Sequence, residues 1–126
     1  MKSKILTTEA PAAIGPYAQG IITDKFAFVS GQIPVDPATG VIECSDIKGQ
    51  ARQSLFNVRN VLKAGGFTLE DVVKTTCFIT DMKDFAEFNE VYGEFFKDNC
   101  PARSCVAVKE LPKNALCELE VIACKS

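Results

Sequence analysis

Histidine is missing altogether from these 126 residues. That excludes Ser–His–Asp and Cys–His nucleophile arrangements, the usual imidazole general base and the commonest zinc ligand. Any acid–base step must fall to Asp, Glu, Lys, Tyr or Cys. Cys-x-x-Cys pairs are missing too. The six cysteines (Cys44, Cys77, Cys100, Cys105, Cys117, Cys124) are expected to be reduced thiols of a cytoplasmic protein, several of them simply buried. No bound metal is expected. No apolar run is long enough to span a bilayer, and residues 1–10 lack the apolar core of a signal peptide. There is no Lys/Arg stripe: 14 basic residues face 16 acidic ones, for a formal net charge of −2. The electrostatic footprint of a nucleic-acid binder is therefore absent. What remains, 47% hydrophobic and 24% charged, is the composition of an ordinary globular chain. One domain over residues 1–126 is expected.

The most informative stretch is the end of the chain, Pro101-Ala102-Arg103-Ser104-Cys105 and Leu116-Cys117-Glu118-Leu119-Glu120-Val121. Both segments alternate as strands do, and Leu111-Pro112-Lys113-Asn114 between them carries turn chemistry. The pattern predicts a hairpin with its tip near Pro112 and Lys113. Its core face would hold Ala102, Ser104, Val106 and Val108 beside Cys117, Leu119, Val121 and Ala123. The other face would then gather Arg103, Cys105 and Lys109 beside Glu118 and Glu120, with Arg103 and Glu118 about 13 Å apart at ~3.3 Å per residue. The same pattern also fits a solvated ion-pair face.

Earlier in the chain, Lys4–Thr7 is a short edge strand, and Ala10–Tyr17, stiffened by Pro11 and Pro16, holds Tyr17 in a fixed place. Tyr17 is either a packing residue or a site residue. Gly20–Thr23 and Phe26–Ile33 read as a strand pair joined near Asp24-Lys25, and Ser30-Gly31 marks a bulge or a close approach to the backbone. A helix is predicted over Asp46–Ala64, with Ile47, Ala51, Leu55, Val58 and Leu62 on one stripe and a cap at Ser45 or Asp46. Phe56 falls on its polar side. Val72–Thr80 is a strand. Asp81 opens a second helix, about Met82–Lys97, whose Phe85, Phe88, Tyr92, Phe95 and Phe96 form a core stripe. Asn89 at the stripe's edge either bonds a nearby backbone group or meets a ligand.

Three strands, a helix, a strand, a helix and two strands make an α+β fold: a mixed sheet of about six strands with two helices on one face. The other face, with Phe26, Phe28 and Ile122, would stay bare unless the chain self-associates.

Five segments carry a resemblance over about Thr7–Ala123: Ile14-Gly15-Pro16-Tyr17-Ala18-Gln19, Val29-Ser30-Gly31-Gln32-Ile33-Pro34, Val73-Lys74-Thr75-Thr76, Pro101–Cys105, and Glu118 after them. Together they resemble the Rid/YjgF family of reactive intermediate deaminases. The resemblance implies a chorismate-mutase-like fold and a homotrimer whose sheets line a central barrel, with ligand clefts between subunits. It implies 2-iminobutanoate/2-iminopropanoate deaminase activity: hydrolysis of 2-imino acids, or their enamine tautomers, from pyridoxal-phosphate dehydratases to 2-keto acids and ammonia, with no cofactor. Carried over by position, Arg103 would bind the substrate carboxylate and Glu118 would activate water. Tyr17, Ser30, Gly31, Asn89 and Cys105 would line the cleft. Cys117 departs from the aliphatic residue usual before the glutamate. The chemistry is consistent: a guanidinium clamps a carboxylate bidentately, and a carboxylate orients water and accepts its proton. Two rival functions stand beside it, a non-catalytic keto-acid-binding or chaperone-like module and an RNA-directed endoribonuclease or translation inhibitor.

Overall fold

The computed structural model describes Met1–Ser126. Along it run β1 (Lys2–Ile5), β2 (Gly20–Thr23), β3 (Phe26–Gln32), α1 (Ile47–Ala64), β4 (Val72–Ile79), α2 (Phe85–Phe95), β5 (Ala102–Ala107) and β6 (Cys117–Cys124). The strands form one mixed sheet in the order β1-β2-β3-β6-β4-β5. Both helices pack on one face of it, giving the expected α+β class.

Local chemistry sets the helices. Asp46 caps α1 by accepting from the Gly49 N–H at 3.4 Å, and Gly66, at φ 82°, ends it in the left-handed region that glycine enters without strain. Ile47, Ala51, Leu55, Val58 and Leu62 of the stripe are all buried. Asp81 accepts from the Lys83 N–H at 2.9 Å and opens a 3-10 turn over Met82–Asp84; the α-helix proper is shorter than expected. Its Phe88 and Val91 meet Leu55, Val58, Cys77, Leu119 and Val121 in the core. Each such fully buried side chain contributes ~1.5–3 kcal/mol. The first strand begins two residues earlier than its sequence placement, at Lys2. No helix is long and apolar enough to cross a membrane.

The predicted β5–β6 hairpin does not exist. β5 pairs with β4, parallel, with Arg103 beside Thr75 and Cys105 beside Cys77. β6 lies between β3 and β4, antiparallel to both. The reason is α2: its aromatic stripe must bury on the sheet it leaves, so β4-α2-β5 returns as a parallel crossover unit. The segment that looked like a hairpin turn steps across the end of β4. Val108 N–H donates to the Ile79 carbonyl at 2.8 Å, and Thr80 N–H donates to Leu116 at 3.2 Å.

The face assignment of β5 reverses with the pairing. Ala102, Ser104 and Val106 are exposed on the uncovered face, while Arg103 and Cys105 turn toward the helices. In β6, Cys117, Leu119, Val121 and Ala123 are core as expected, which leaves Glu118 and Glu120 on the uncovered face. Arg103 and Glu118 therefore lie on opposite faces of one chain's sheet. The uncovered face is apolar in large part: Phe26, Phe28 and Val106 are 40%, 42% and 45% exposed.

Candidate functional site

The site residues fall into two halves. The first sits under α2 at the β5 edge. Arg103 Nη1 donates to Asn89 Oδ1 at 2.8 Å, and the guanidinium carbon lies 4.7 Å from the Tyr92 ring centre and 5.6 Å from that of Phe85. Two ring faces and an amide oxygen hold the cation where a free side chain would swing out. Tyr92 is itself fixed by a 2.7 Å hydroxyl bond to the buried Thr75. Asn89, expected to bond a backbone group or a ligand, has the Arg103 side chain as its partner instead of a backbone group. None of the chain's ion pairs, Lys48–Glu90, Arg52–Glu94, Lys83–Asp81 and Lys125–Asp71, uses Arg103. One of its five N–H donors is taken by Asn89, leaving a fork directed at no carboxylate of its own. Cys105 lies beside it. Burial raises its thiol above the ordinary range, with the nearby Arg103 pulling the other way, so it stays a neutral thiol at neutral pH.

The second half is built on the β3 bulge, where the pairing with β6 shifts between Val29 and Gln32. Gly31 sits directly under Glu118. A Cβ there would come within 2.8 Å of the Glu118 carboxyl carbon, so any larger residue at 31 would push that carboxyl out of its present position. Burial, and after it the charge of Glu120, raises the Glu118 carboxyl above its ordinary value. A half-buried carboxylate made more basic in this way is a competent proton acceptor. Ser30 does not open into a cleft: its hydroxyl donates to the Ala18 carbonyl at 2.6 Å and its N–H to Gln19 at 3.0 Å. It acts on the site by tying down the segment that carries Tyr17. Tyr17 is half exposed and lines a cleft of about 260 Å³ with Ile14, Gly31, Ile33, Val35 and Lys113.

The residue that sequence reasoning did not single out is Gln19. Only 2% exposed, its Oε1 accepts from Thr7 N–H at 2.8 Å. Its Nε2 faces the carbonyls of Thr7 at 3.0 Å, Pro11 at 2.8 Å and Ala10 at 3.4 Å. One amide pins the whole proline-rich arm ahead of Tyr17. The available signal was a glutamine directly before a strand whose neighbours are small or apolar, a position that demands partners when buried. No three His, Cys, Asp or Glu side chains converge on a common point.

Comparison with known proteins agrees with this architecture. The family model described as Endoribonuclease L-PSP matches residues 7–125. A RutC family protein of Pyrococcus horikoshii is 51% identical over 125 residues, 99% of each chain. The 2-iminobutanoate/2-iminopropanoate deaminase of Salmonella typhimurium is 49% identical over 126 residues, 98% of each chain. The crystal structure of E. coli TdcF with bound serine superposes with a TM-score of 0.94 at 49% identity, covering 98% of this chain and 99% of that one. A family model matched over nearly the whole chain, with identities near one half, leaves one conclusion: this chain belongs to the Rid/YjgF family.

Proposed function

We propose that this chain hydrolyses 2-imino acids, or their enamine tautomers, to 2-keto acids and ammonia. The observation that carries the reading is Arg103, a guanidinium held by Asn89, Tyr92 and Phe85 with no carboxylate partner in its own chain. Such a group is a prepared receptor for a carboxylate. Glu118 accepts a proton from water as the oxygen attacks the C=N carbon. Glu118 hands that proton to the imine nitrogen, giving the tetrahedral aminoalcohol; on collapse the hydroxyl proton passes by the same carboxylate to the nitrogen, which leaves as ammonia, and the keto acid remains. A general base of this kind contributes ~10²–10⁴-fold. The named deaminase among the relatives and the serine held by TdcF fit a small amino-acid-derived ligand.

In this reading the opposed positions of Arg103 and Glu118 require a second copy. Three chains packing their apolar sheet faces inward would bring the Arg103 half of one chain against the Gly31–Glu118 half of the next. Sedimentation should give three times the 13.7 kDa chain mass. Phe28→Asp, which puts a charge on that face, should give monomers and lose activity.

The family model's description favours a second reading, an RNA-directed enzyme. It predicts salt-dependent RNA binding, which a chain of net charge −2 with no basic stripe is poorly built to give. The deciding experiment couples a serine or threonine dehydratase to this protein and follows keto-acid release. Acceleration over spontaneous hydrolysis supports the deaminase; none with any small imine, together with salt-sensitive RNA cleavage, overturns it.

A further inference from the structure

The segment between β5 and β6 holds two consecutive non-glycine residues in the left-handed region, Lys113 (φ 57°, ψ 28°) and Asn114 (φ 57°). Asparagine enters this region readily; lysine has no side-chain bond to offset the strain, and glycine would be easier. A strained backbone kept at one position is a pointer to what its side chain does there. Lys113 lines the cleft with Tyr17 and Gly31 and is the only charged residue among those that line it. It makes no ion pair with any carboxylate of the chain. The remaining walls are mostly apolar, with Ile14, Ile33 and Val35 prominent, and Arg103 is not among them.

We infer that Lys113 is a further ligand-contacting residue, an ammonium that recognises a carboxylate of a small acid whose carbon body lies against the apolar walls. The inference rests on the reading of this cleft as part of the keto- and imino-acid site. It assigns Lys113 to binding: the carboxylate keeps its charge from ground state to transition state, so loss of the amine raises KM and leaves kcat nearly unchanged.

The carboxylate can be the one next to the reacting carbon or a second one at the far end of the side chain. Titration calorimetry with 2-oxobutanoate and 2-oxoglutarate separates the two, applied to the parent chain, Lys113→Gln, Lys113→Arg and Lys113→Gly. Lys113→Gln is expected to weaken binding ~10-fold, and Lys113→Arg to retain most of the affinity. Loss for both acids assigns the near carboxylate; loss for 2-oxoglutarate alone assigns the distal one. Lys113→Gly separates backbone from side chain: it should unfold at the parent's temperature or higher and still bind weakly. Unchanged affinity for both acids in Lys113→Gln overturns the inference, as does parent-like binding by Lys113→Gly. If Arg103→Ala loses binding while Lys113→Gln does not, the proposed function stands and the Lys113 role alone falls. If the parent binds neither acid and releases no keto acid from an imine, both fall.

Discussion

Arg103 and Glu118 stand on opposite faces of the same sheet, on strands separated by β4. One chain cannot bring both onto one small ligand. Arg103→Ala and Glu118→Gln proteins, each inactive alone, should therefore regain activity when unfolded and refolded together. In the proposed ring each interface would combine the Arg103 of one copy with the Glu118 of its neighbour, so random mixing would leave about a quarter of the clefts intact. The measurement is keto-acid release at fixed total protein. Recovery of none of the parent activity from verified mixed oligomers would place both residues in one chain's site.

Gln19→Ala should loosen the arm that carries Tyr17. It strands the Thr7 N–H and removes a donor from the Thr7, Ala10 and Pro11 carbonyls. A buried group left unsatisfied costs ~1–3 kcal/mol. Gln19→Glu should be no better, because it turns a carboxylate oxygen toward those carbonyls in place of an N–H. Thermal unfolding checks the stability loss, and proteolysis between Thr7 and Tyr17 should rise in both variants. A parent-like cleavage rate would show that Ser30 holds the arm by itself.

Much of this fold was legible because its signals are local. The Ile47–Leu62 stripe, the Asp46 and Asp81 caps and the interruption at Ser30-Gly31 lie within a turn or two of chain. The pairing of β5 was not. A strand alternating Ala102, Ser104 and Val106 with Arg103 and Cys105 states that it has two faces, and the small, apolar first set, taken as core, placed Arg103 outward. The rings of Phe85 and Tyr92, supplied by a helix earlier in the chain, reversed that choice. The candidate residues could be named from the sequence, but what holds them in place could not: Gln19 bonds groups eight and twelve residues away, at no period a pattern can detect.

The raised Glu118 carboxyl gives a pH signature. Its acid limb in kcat/KM should lie above an ordinary glutamate's value, since the proposed proton transfer needs the ionised form. Stability carries the opposite sign. Folded chain holds this proton more tightly than unfolded chain, so between the ordinary and the raised pKa stability falls as pH rises. Glu118→Gln, never ionised, avoids that loss, and its thermal midpoint relative to the parent should climb across that window. A midpoint difference independent of pH would mean that Glu118 is not desolvated.

The last prediction separates holding the substrate from converting it. In the proposed reaction the substrate carboxylate is charged throughout, so Arg103 would act on ground and transition states alike; the water's proton moves only in the chemical step, where Glu118 would act. Arg103→Ala should lose 2-oxobutanoate affinity and turnover together, because the ligand's desolvated carboxylate then loses its bidentate guanidinium partner. Arg103→Lys keeps the charge and loses the planar fork, so it should recover only part. Asn89→Ala leaves the guanidinium in place over Tyr92 but removes its one hydrogen-bonded anchor. It should cost affinity by less than Arg103→Ala, on the scale of a single charged hydrogen bond, ~1.5–3 kcal/mol. Glu118→Gln should bind 2-oxobutanoate as the parent does while kcat falls ~10²-fold or more. Calorimetry gives the affinities and the dehydratase-coupled assay the turnover. Near-normal turnover by Glu118→Gln would leave Glu118 as a packing residue over Gly31, and unchanged binding by Arg103→Ala would move the carboxylate to Lys113.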